Sequence, residues 1–471
     1  MTIFPNELVR NIPNGFFGIN VNFLLDGEWA GEDADLAKLV GDLGAGILRY
    51  PGGEKSDATY FAPPPGFDRV SPTLIRASEW PRGDQTLYDQ NSEQFVHRPL
   101  DFNDFMRLCR ETGAQALLVL PYDIRFATPA DGSEPPSFDE LMAHARAWVR
   151  YAKENEFPVR AWEIGNESYL SSSYNGQATA ADYAADVLQF AALIREIDPD
   201  AKIAVCGPPV GTNLGDRDRA EGSEDRWWEV VLREAGSVID YFTIHTYPVY
   251  GWGGFEAYGQ RETTLAAELA SLESALHRWA RAEDAARIRF LLTETNSADW
   301  SGYPDNAGWS NEASFGHGLV LFDILANAAM HPRMDAALVW NTRWVQNKTG
   351  PQIWDAVAAD GSLLPTGVAL QAAARYIQGS MLKVSTPQAD VGAWAVRLNG
   401  DRIRVILINR HPGPRSLEVR GLSGRPKRLF FWAPGPDGPD GLGVINADAS
   451  HGHATFELEG SALAVLEFLG E

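Results

Sequence analysis

The 471-residue chain has few of the features that mark membrane, secreted or disulfide-rich proteins. It has only 2 cysteines, Cys109 and Cys206, and because one disulfide adds little to a chain of this length, we expect both to be buried and reduced. No apolar run reaches the ~18 residues of a membrane span, and residues 1–17 lack the basic start and unbroken apolar stretch of a secretory signal. We therefore expect a cytoplasmic location, or secretion if a leader has been removed.

Basic residues are also scarce. The chain holds 40 Lys and Arg against 63 Asp and Glu, a net charge of −23, and almost all of the excess lies before residue 385. Such a surface repels nucleic acid and anionic membranes, because both bind basic surfaces that replace their counterions. We therefore expect neither nucleic acid nor a membrane as a partner, while a homo-oligomer remains open.

Short apolar runs alternate with longer amphipathic segments from residue 16 to about 384, a pattern typical of βα units around a parallel sheet. The runs number eight and end in polar or aromatic residues, and no Gly-x-Gly-x-x-Gly follows the first one, which favours a (β/α)8 TIM barrel over a doubly wound sheet. We predict an α/β fold with this barrel over residues 14–384. The predicted strands are 16–23, 46–52, 114–123, 159–167, 202–208, 239–248, 287–296 and 335–344.

The pattern of apolar residues changes after the predicted barrel. Residues 385–471 consist of short alternating runs separated by Gly, Pro and Asn turns, which predicts an antiparallel β-sandwich domain that residues 1–13 could join. Between the barrel strands, apolar spacing of three to four predicts helices, the last of them over 367–384. A long insertion at 53–98 is expected to wall a cleft, because loops of that length in a compact domain usually serve a function.

Two glutamates end strands that face each other across the predicted barrel mouth. Glu167 ends the fourth strand in the segment WEIGNE, and Glu294 ends the seventh in LLTETN. Acid-assisted cleavage of a glycosidic bond needs two carboxyl groups on opposite sides of that bond, one protonated and one ionised. The spacing therefore predicts catalytic roles for both, whereas a single glutamate at a strand end could equally be an ion-pair partner.

This arrangement resembles glycoside hydrolase clan A, in which an Asn-Glu pair on strand four supplies the acid/base and a glutamate on strand seven the nucleophile. The resemblance covers the barrel and extends to the C-terminal sandwich of families 79, 51 and 39. It implies that Arg49 hydrogen-bonds the nucleophile, that His245 and Tyr247 form the strand-six pair, and that Trp340 lies beneath the sugar. We expect the guanidinium to keep the nucleophile ionised and the acid/base, placed away from it, to hold a proton.

Other residues are candidates for contact with the substrate. Asn166 can hydrogen-bond a sugar hydroxyl in a contact that strengthens as the transition state forms, and Tyr122 ends the third strand. Aromatic rims suit sugars because ring faces stack on C–H faces. Glu163, two residues from Gly165 on the same strand, is interpreted as a structural group hydrogen-bonded below the site. Predicted rim tryptophans are Trp252, Trp300, Trp309, Trp344 and Trp354.

The substrate is left open among three kinds of glycoside. Family 51 arabinofuranosidases carry a glutamate at the end of strand one and an asparagine after Pro-Gly-Gly, where this chain has Asn20 or Asn22 and Glu54. The segments GGEKSD and TETNSA are closer to the glucuronidases of family 79, and four cations could bind one carboxylate. These are Lys55, Arg98, Arg125 and Arg343.

We therefore predict a retaining glycoside hydrolase that uses two glutamates on a small glycoside or oligosaccharide, with an activity like that of a β-glucuronidase, a β-xylosidase or an α-L-arabinofuranosidase. A carbohydrate-binding barrel without turnover and a transglycosylase are the alternatives. No metal or cofactor is expected, because the chain has no HExxH, P-loop or nucleophile-elbow motif.

Overall fold

The parallel strands of the chain form one closed barrel. The computed structural model describes residues 1–30, 35–62, 71–74, 88–89, 94–126, 135–170, 178–208, 224–247, 264–297, 315–343, 354–386, 388–398, 402–422, 426–433, 448–450 and 453–468. Strands are numbered in chain order from β1 (Thr2–Asn11), which lies outside the barrel. The barrel strands are β2 (Phe17–Asn20), β3 (Ile47–Tyr50), β8 (Gln115–Leu120), β9 (Val159–Ile164), β10 (Ile203–Cys206), β11 (Tyr241–Thr246), β12 (Arg289–Thr295) and β13 (Met334–Val339).

Seven of the eight barrel strands lie within the predicted segments, and β13 begins one residue before its predicted segment. The order is as predicted, and β13 closes the barrel by pairing with β2. The predicted fold class is thereby confirmed. The strand period of two places alternate side chains inside the barrel. On β3 and β9 the inward positions are Ile47 and Ala161 in an apolar layer at the bottom, followed by Arg49 and Glu163 above it. The polar side chains are therefore held where the strands end at the barrel mouth.

Helices surround the barrel, and several carry side-chain caps at their N-termini. Ser137 and Glu140 form a reciprocal capping box, as do Thr179 and Asp182, which satisfies the first backbone N–H groups of two helices. Among the described residues no helix is both long and apolar enough to cross a bilayer. The helices are α1 (Leu36–Leu43), α2 (Phe102–Thr112), α3 (Phe138–Glu154), α4 (Ala180–Ile197), α5 (Glu224–Ala235), α6 (Thr264–Trp279), α7 (Ala282–Arg287), α8 (Phe315–Met330) and α9 (Pro365–Tyr376).

The helix predicted over 367–384 is shorter than expected. It ends at Tyr376, and Ser380–Ser385 form β14, which pairs with β1 on one side and with β15 (Val391–Arg397) on the other. Gly379 separates the two elements with a φ of +101°, a backbone conformation that L side chains rarely adopt. Pairing on both edges overrides the helical spacing of this segment.

The second sheet has nine strands, is mostly antiparallel, and begins five residues before the domain boundary expected at 384/385. Its order is β18-β21-β16-β15-β14-β1-β17-β20-β19, with β1 from the N-terminal segment near its middle. One apolar cluster holds side chains from nearly all of these strands, which means that the sheet curls around a common core. The remaining members are β16 (Ile403–Asn409), β17 (Arg415–Arg420), β18 (Lys427–Trp432), β19 (Asp448–Ser450), β20 (His453–Leu458) and β21 (Ala462–Phe468).

Parts of the predicted 53–98 insertion form two small hairpins. The first pairs β4 (Thr59–Ala62) with β5 (Ser71–Leu74), and the second pairs β6 (Tyr88–Asp89) with β7 (Gln94–Phe95). The intervening residues 63–70, 75–87 and 90–93 lie outside the described part of the chain. The prediction that this insertion walls the cleft therefore stays a prediction.

The outer face of the second sheet packs against the barrel helices. Trp394 of β15 meets Phe322 of α8 edge to face, and Trp432 meets Phe315 in the same way. Beside these rings the guanidinium of Arg410 donates two hydrogen bonds, of 2.6 and 2.8 Å, to the fully buried carboxylate of Asp323 on α8. The sheet is therefore tied to the barrel by apolar packing and by a buried ion pair.

We predict that Asp323→Ala lowers the free energy of unfolding by about 3–5 kcal/mol, because it leaves the Arg410 charge buried without its carboxylate. Asp390→Ala is the matched control: it also removes an aspartate paired with an arginine, but that pair with Arg415 is about one-third exposed, and its loss should cost at most about 1 kcal/mol. Urea denaturation of both variants measures the difference. Equal losses of unfolding free energy in the two variants would contradict a stabilising role for the buried ion pair between the sheet and the barrel.

Candidate active site

Arg49 is the centre of the polar layer at the barrel mouth. Its side chain is fully buried and uses all three of its nitrogens. Nε donates to Glu163 Oε2 at 2.7 Å, Nη2 donates to Asn166 Oδ1 at 2.9 Å, and Nη1 donates to Glu294 Oε1 at 2.6 Å and to Asn20 Oδ1 at 3.1 Å. The guanidinium of Arg49 on β3 thus positions side chains from the ends of β2, β9 and β12.

The charge of Arg49 is stabilised by the two carboxylates that it contacts. Burial alone would lower the pKa of Arg49, but the charges of Glu163 and Glu294 outweigh that effect and raise the pKa above its ordinary value. The planar fork suits this role better than a lysine would, because it reaches several acceptors in fixed directions. Glu163 therefore lies below the mouth as a partner of Arg49, the structural position expected for it.

Glu294 is held from two directions. Arg49 meets one carboxylate oxygen, and the hydroxyl of Tyr247 donates to the other, Oε2, at 3.0 Å. Both bonds orient the carboxylate, because each of its oxygens has its own donor: Arg49 is fixed on β3, and Tyr247 directly follows β11. Its side chain is 7% exposed, so solvent reaches little of it. The structure thus orients Glu294 rigidly at the end of β12.

Glu167 lies on a turn of unusual conformation. Its φ is +52° and that of Gly165 is +73°, and a non-glycine residue in this left-handed region persists only where its surroundings hold it. Ser168 supplies one such restraint, because its hydroxyl donates to Asp123 Oδ2 at 2.5 Å. A Cβ at Gly165 would lie 2.3 Å from the Ser168 hydroxyl oxygen. Glycine is therefore required for the turn that presents Glu167.

His245 lies between the two glutamates. Its Nδ1 is 2.9 Å from Glu167 Oε1 and 3.5 Å from Glu294 Oε2. Burial lowers the pKa of His245 to about 4, although the charge of Glu294 acts in the opposite direction. The imidazole is consequently neutral near pH 7. Tyr169 also contacts Glu167, with its hydroxyl 3.4 Å from Oε1.

Trp340 follows β13 and forms one wall of the mouth. Its ring packs so closely on Gly53 that a Cβ there would lie 2.3 Å from the ring edge. The Lys55 ammonium lies 4.5 Å from the centre of the same ring. Burial lowers the pKa of Lys55 to about 8, while the nearby carboxylates of Glu294 and Glu54 oppose that shift. Gly53 and Lys55 therefore attach the turn after β3 to Trp340.

Glu54 is the exposed member of that turn, with buried residues on both sides of it along the chain. Although solvent reaches its side chain, the surrounding protein limits its hydration and raises the pKa of Glu54 to about 7, and the charge of Glu167 adds to the rise. Glu54 thus joins Glu167 and Glu294 as a third carboxyl group at the mouth.

Two of the predicted contact residues lie elsewhere in the structure. Tyr122 is fully buried, and its hydroxyl donates at 2.9 Å to Asp186 on α4 and accepts a bond from Arg125. Trp354, expected at the rim, is fully buried in the packing. The remaining rim tryptophans lie outside the described residues; they are Trp252, Trp300, Trp309 and the candidate site residue Trp344.

The arginines considered for binding a carboxylate are paired with acids of the protein itself. Arg98 contacts Asp104 at 2.5 Å, and Arg125 contacts Asp186. Arg343 lies 3.2 Å from a carboxylate oxygen of Glu28 and also donates to a backbone carbonyl at 2.7 Å. Each of these three arginines therefore already contacts an acid of the protein, and the positive pocket stays a prediction.

The structure also adds residues that sequence reasoning left out of the site. Asn20 accepts a bond from Arg49 and donates to the carbonyl oxygen of Thr293 at 2.8 Å. Its signal was present in the sequence, because Asn20 ends the first barrel strand. Tyr169 and Ser168 follow Glu167 directly, but only the fold shows that the chain turns back there.

Comparisons with known proteins point to one group of enzymes. The family model "Glycosyl hydrolase family 79, N-terminal domain" matches residues 107–257, about a third of the chain, which include Glu167 and His245. An "Intracellular exo-alpha-(1->5)-L-arabinofuranosidase" from Streptomyces lividans is 23% identical over 219 residues, which cover 45% of this chain and 29% of the relative. An "Exo-alpha-(1->6)-L-arabinofuranosidase" from Bifidobacterium longum is 24% identical over 45% of this chain and 37% of the relative. The match thus spans less than half the length of these relatives.

Solved structures share the whole fold. The crystal structure of an arabinofuranosidase superposes with a TM-score of 0.73 at 15% identity, covering 99% of both chains. The Thermotoga maritima alpha-L-arabinofuranosidase has a TM-score of 0.70 at 16% identity, covering 99% of this chain and 98% of the other. A GH30 endoxylanase from Clostridium papyrosolvens has a TM-score of 0.58 at 13% identity, over 100% and 99% of the two chains.

In its fold and in the order of its barrel strands along the chain, the protein resembles the glycoside hydrolases of clan A. The resemblance divides between families, because the family model is that of family 79, whereas the relatives and the structures with the TM-scores of 0.73 and 0.70 given above are arabinofuranosidases, and further similar structures are arabinofuranosidases of family 51.

We predict that the imidazole of His245 stays neutral at pH 6, where an ordinary histidine, with a pKa of ~6.5, is mostly protonated. The reason is its burial, which lowers the pKa to about 4. NMR of histidine-labelled protein between pH 8 and 5 measures this directly, with the signal assigned by its loss in His245→Asn. A titration midpoint above pH 6 would contradict the account.

Proposed function

We propose that the protein is a retaining glycoside hydrolase in which Glu294 is the nucleophile and Glu167 the acid/base. The observation that carries the proposal is the position of His245 Nδ1, 2.9 Å from Glu167 and 3.5 Å from Glu294. Both carboxyl groups therefore lie close to one ring nitrogen. This proximity favours the ~5–5.5 Å separation of retaining enzymes over the ~6.5–9.5 Å separation of inverting enzymes, which need room for a water molecule.

The roles of the two glutamates follow from their surroundings. Glu294 accepts bonds from the charged guanidinium of Arg49 and from the Tyr247 hydroxyl, which together hold the carboxylate in one direction, as a nucleophile requires. Glu167 instead meets the neutral imidazole of His245. This contact suits a carboxyl group that alternates between two states: Nδ1–H can donate to the carboxylate, and in the other tautomer Nδ1 can accept from the carboxylic acid.

The reaction then runs in two displacements. Glu294 attacks the anomeric carbon and forms a glycosyl ester, while Glu167 transfers its proton to the departing glycosidic oxygen. Water enters next, Glu167 takes a proton from it, and the resulting hydroxide displaces Glu294 from the sugar. Each displacement inverts the anomeric carbon, so the product keeps the configuration of the substrate, and both glutamates return to their starting states.

Asn166 and Trp340 complete the proposed sugar site. The amide oxygen of Asn166 accepts a bond from Arg49, which fixes the orientation of the amide at the barrel mouth, where we assign it a contact with a sugar hydroxyl. Trp340 offers a ring face held by Gly53 and Lys55. Arabinofuranosidases among the relatives support a small glycoside as the substrate, and the intracellular location in the name of one of them supports the same location here.

The alternatives differ in what reaches the glycosyl ester. A transglycosylase would use the same two glutamates but would transfer the sugar to a second sugar, and a binding protein would not form the ester. The double support of Glu294 favours turnover, because binding alone does not need an oriented nucleophile.

We predict that Glu167→Ala lowers kcat/KM on an aryl glycoside by about 10²–10⁴-fold, the usual range for a general acid/base. The loss should be smaller for leaving groups of low pKa, which depart without a proton. Glu294→Ala should lower hydrolysis at least as much for every leaving group. Glu111→Ala, an exposed glutamate on α2, is the control and should be unaffected. Near-normal turnover in either active-site variant would contradict the assignment of Glu167 and Glu294 as the catalytic residues.

Azide separates the two roles. In Glu294→Ala it should replace the nucleophile and give a glycosyl azide of inverted configuration, whereas in Glu167→Ala it should attack the glycosyl ester and give an azide of retained configuration. NMR of the products reports the anomer in each case. Exchanged outcomes would show that the two glutamates have the opposite roles.

A further inference from the structure

The turn after β3 brings one carboxyl group to the barrel mouth that the two displacements do not use. Gly53 lies against both Trp340 and the nucleophile candidate, since a Cβ there would be 3.3 Å from Glu294 Oε1. Lys55, two residues on, lies over the ring of Trp340. Glu54 stands between these two anchored residues and is exposed, whereas both of its neighbours are buried. Its side chain therefore reaches solvent in the same region as the two glutamates, which act on it electrostatically.

The barrel mouth carries a negative charge at pH values where Glu54 is ionised. Glu167 and Glu294 both act on Glu54 electrostatically, and Lys55, the cation that offsets them in the described part of the chain, has its side chain almost fully buried. An ionised Glu54 is an acceptor for sugar hydroxyl groups, and a carboxylate can accept from two hydroxyls at once.

The same surroundings are unfavourable to a substrate that carries its own carboxylate. Among the described residues, the arginines considered for binding such a group already contact acids: Arg98 with Asp104, Arg125 with Asp186 and Arg343 with Glu28. Arg49 is wholly enclosed by Glu163, Glu294 and two amides. A uronate at the mouth would thus face Glu54 with no arginine of this set available to neutralise it.

Building on the glycosidase proposed above, we propose that Glu54 determines specificity: it binds hydroxyl groups of a neutral sugar and excludes uronic acids. The substrate is then a pentoside or a neutral hexoside, and the β-glucuronide among the three kinds of glycoside is ruled out. The pKa of about 7 for Glu54 fits this role, because the group ionises at the pH where the enzyme would operate.

The test compares neutral and anionic sugars of matched shape. Methyl β-xyloside and methyl β-glucuronide share one ring and differ at C5, where the second carries a carboxylate; methyl β-glucoside and methyl α-L-arabinofuranoside extend the neutral set. Calorimetry and ligand-detected NMR at pH 8 measure binding to the full chain, and aryl versions of the same sugars measure turnover. At least one neutral sugar should bind about 100-fold or more tightly than the glucuronide, because like charges meet in the anionic case.

The variant Glu54→Gln keeps the size of the side chain and removes its charge. It should weaken binding of the preferred neutral sugar by about 10–100-fold, the cost of losing hydrogen bonds to a charged group, and should narrow the neutral-to-uronate preference by about tenfold. Asp42→Asn is the control, because it removes one negative charge from an exposed ion pair on α1. It should leave binding and preference unchanged.

The results separate this inference from the proposed function. Binding of a neutral sugar without turnover of any aryl glycoside would remove the glycosidase and leave the specificity role of Glu54 standing. If aryl glycosides are turned over but the glucuronide binds as tightly as the neutral sugars, the glycosidase stands and the specificity role of Glu54 is removed. A preference unchanged in Glu54→Gln, or no binding by any of the sugars, would overturn the role of Glu54.

Discussion

The site depends on one buried guanidinium. Arg49 takes the inward position of β3 and reaches Asn20, Glu163, Asn166 and Glu294 with its three nitrogens. A charge in this position would be costly without partners, and the carboxylates supply that compensation and gain orientation in return. Because the bonded groups come from the ends of β2, β9 and β12, and Arg49 itself from β3, the polar layer holds only when the barrel is closed in its native register. Folding and organisation of the site are therefore one event.

Around this fixed centre, the acid/base candidate has a different kind of support. Glu167 lies on a turn with positive φ, restrained by the Ser168–Asp123 bond, and it meets a neutral imidazole instead of a cation. The contrast matches the two roles in the proposed two-carboxylate mechanism: one group attacks as a carboxylate, while the other gives up a proton and takes one back in each cycle. The environments of the two groups differ even though His245 touches both.

The sequence predicts the barrel well, because the apolar runs carry the strand period and all eight fall on observed strands. It also places Glu167 and Glu294 at strand ends, and the geometry brings these side chains together. What escapes the sequence is long-range pairing. Nothing local shows that Ser380–Ser385 joins the N-terminal strand, that Arg343 pairs with Glu28, or that the hydroxyl of Tyr122 bonds to Asp186. Each of these depends on residues far away in the chain, which only the closed fold brings into contact.

Trapping of the glycosyl ester tests the central claim most directly. A 2-deoxy-2-fluoro glycoside with a good leaving group slows both displacements, and slows the second enough for the ester to accumulate. Mass spectrometry of the intact protein should show the addition of one fluoroglycosyl unit, and peptide mapping should place it on Glu294. A label on any other residue, or turnover with inversion and no label, would contradict the two-glutamate account.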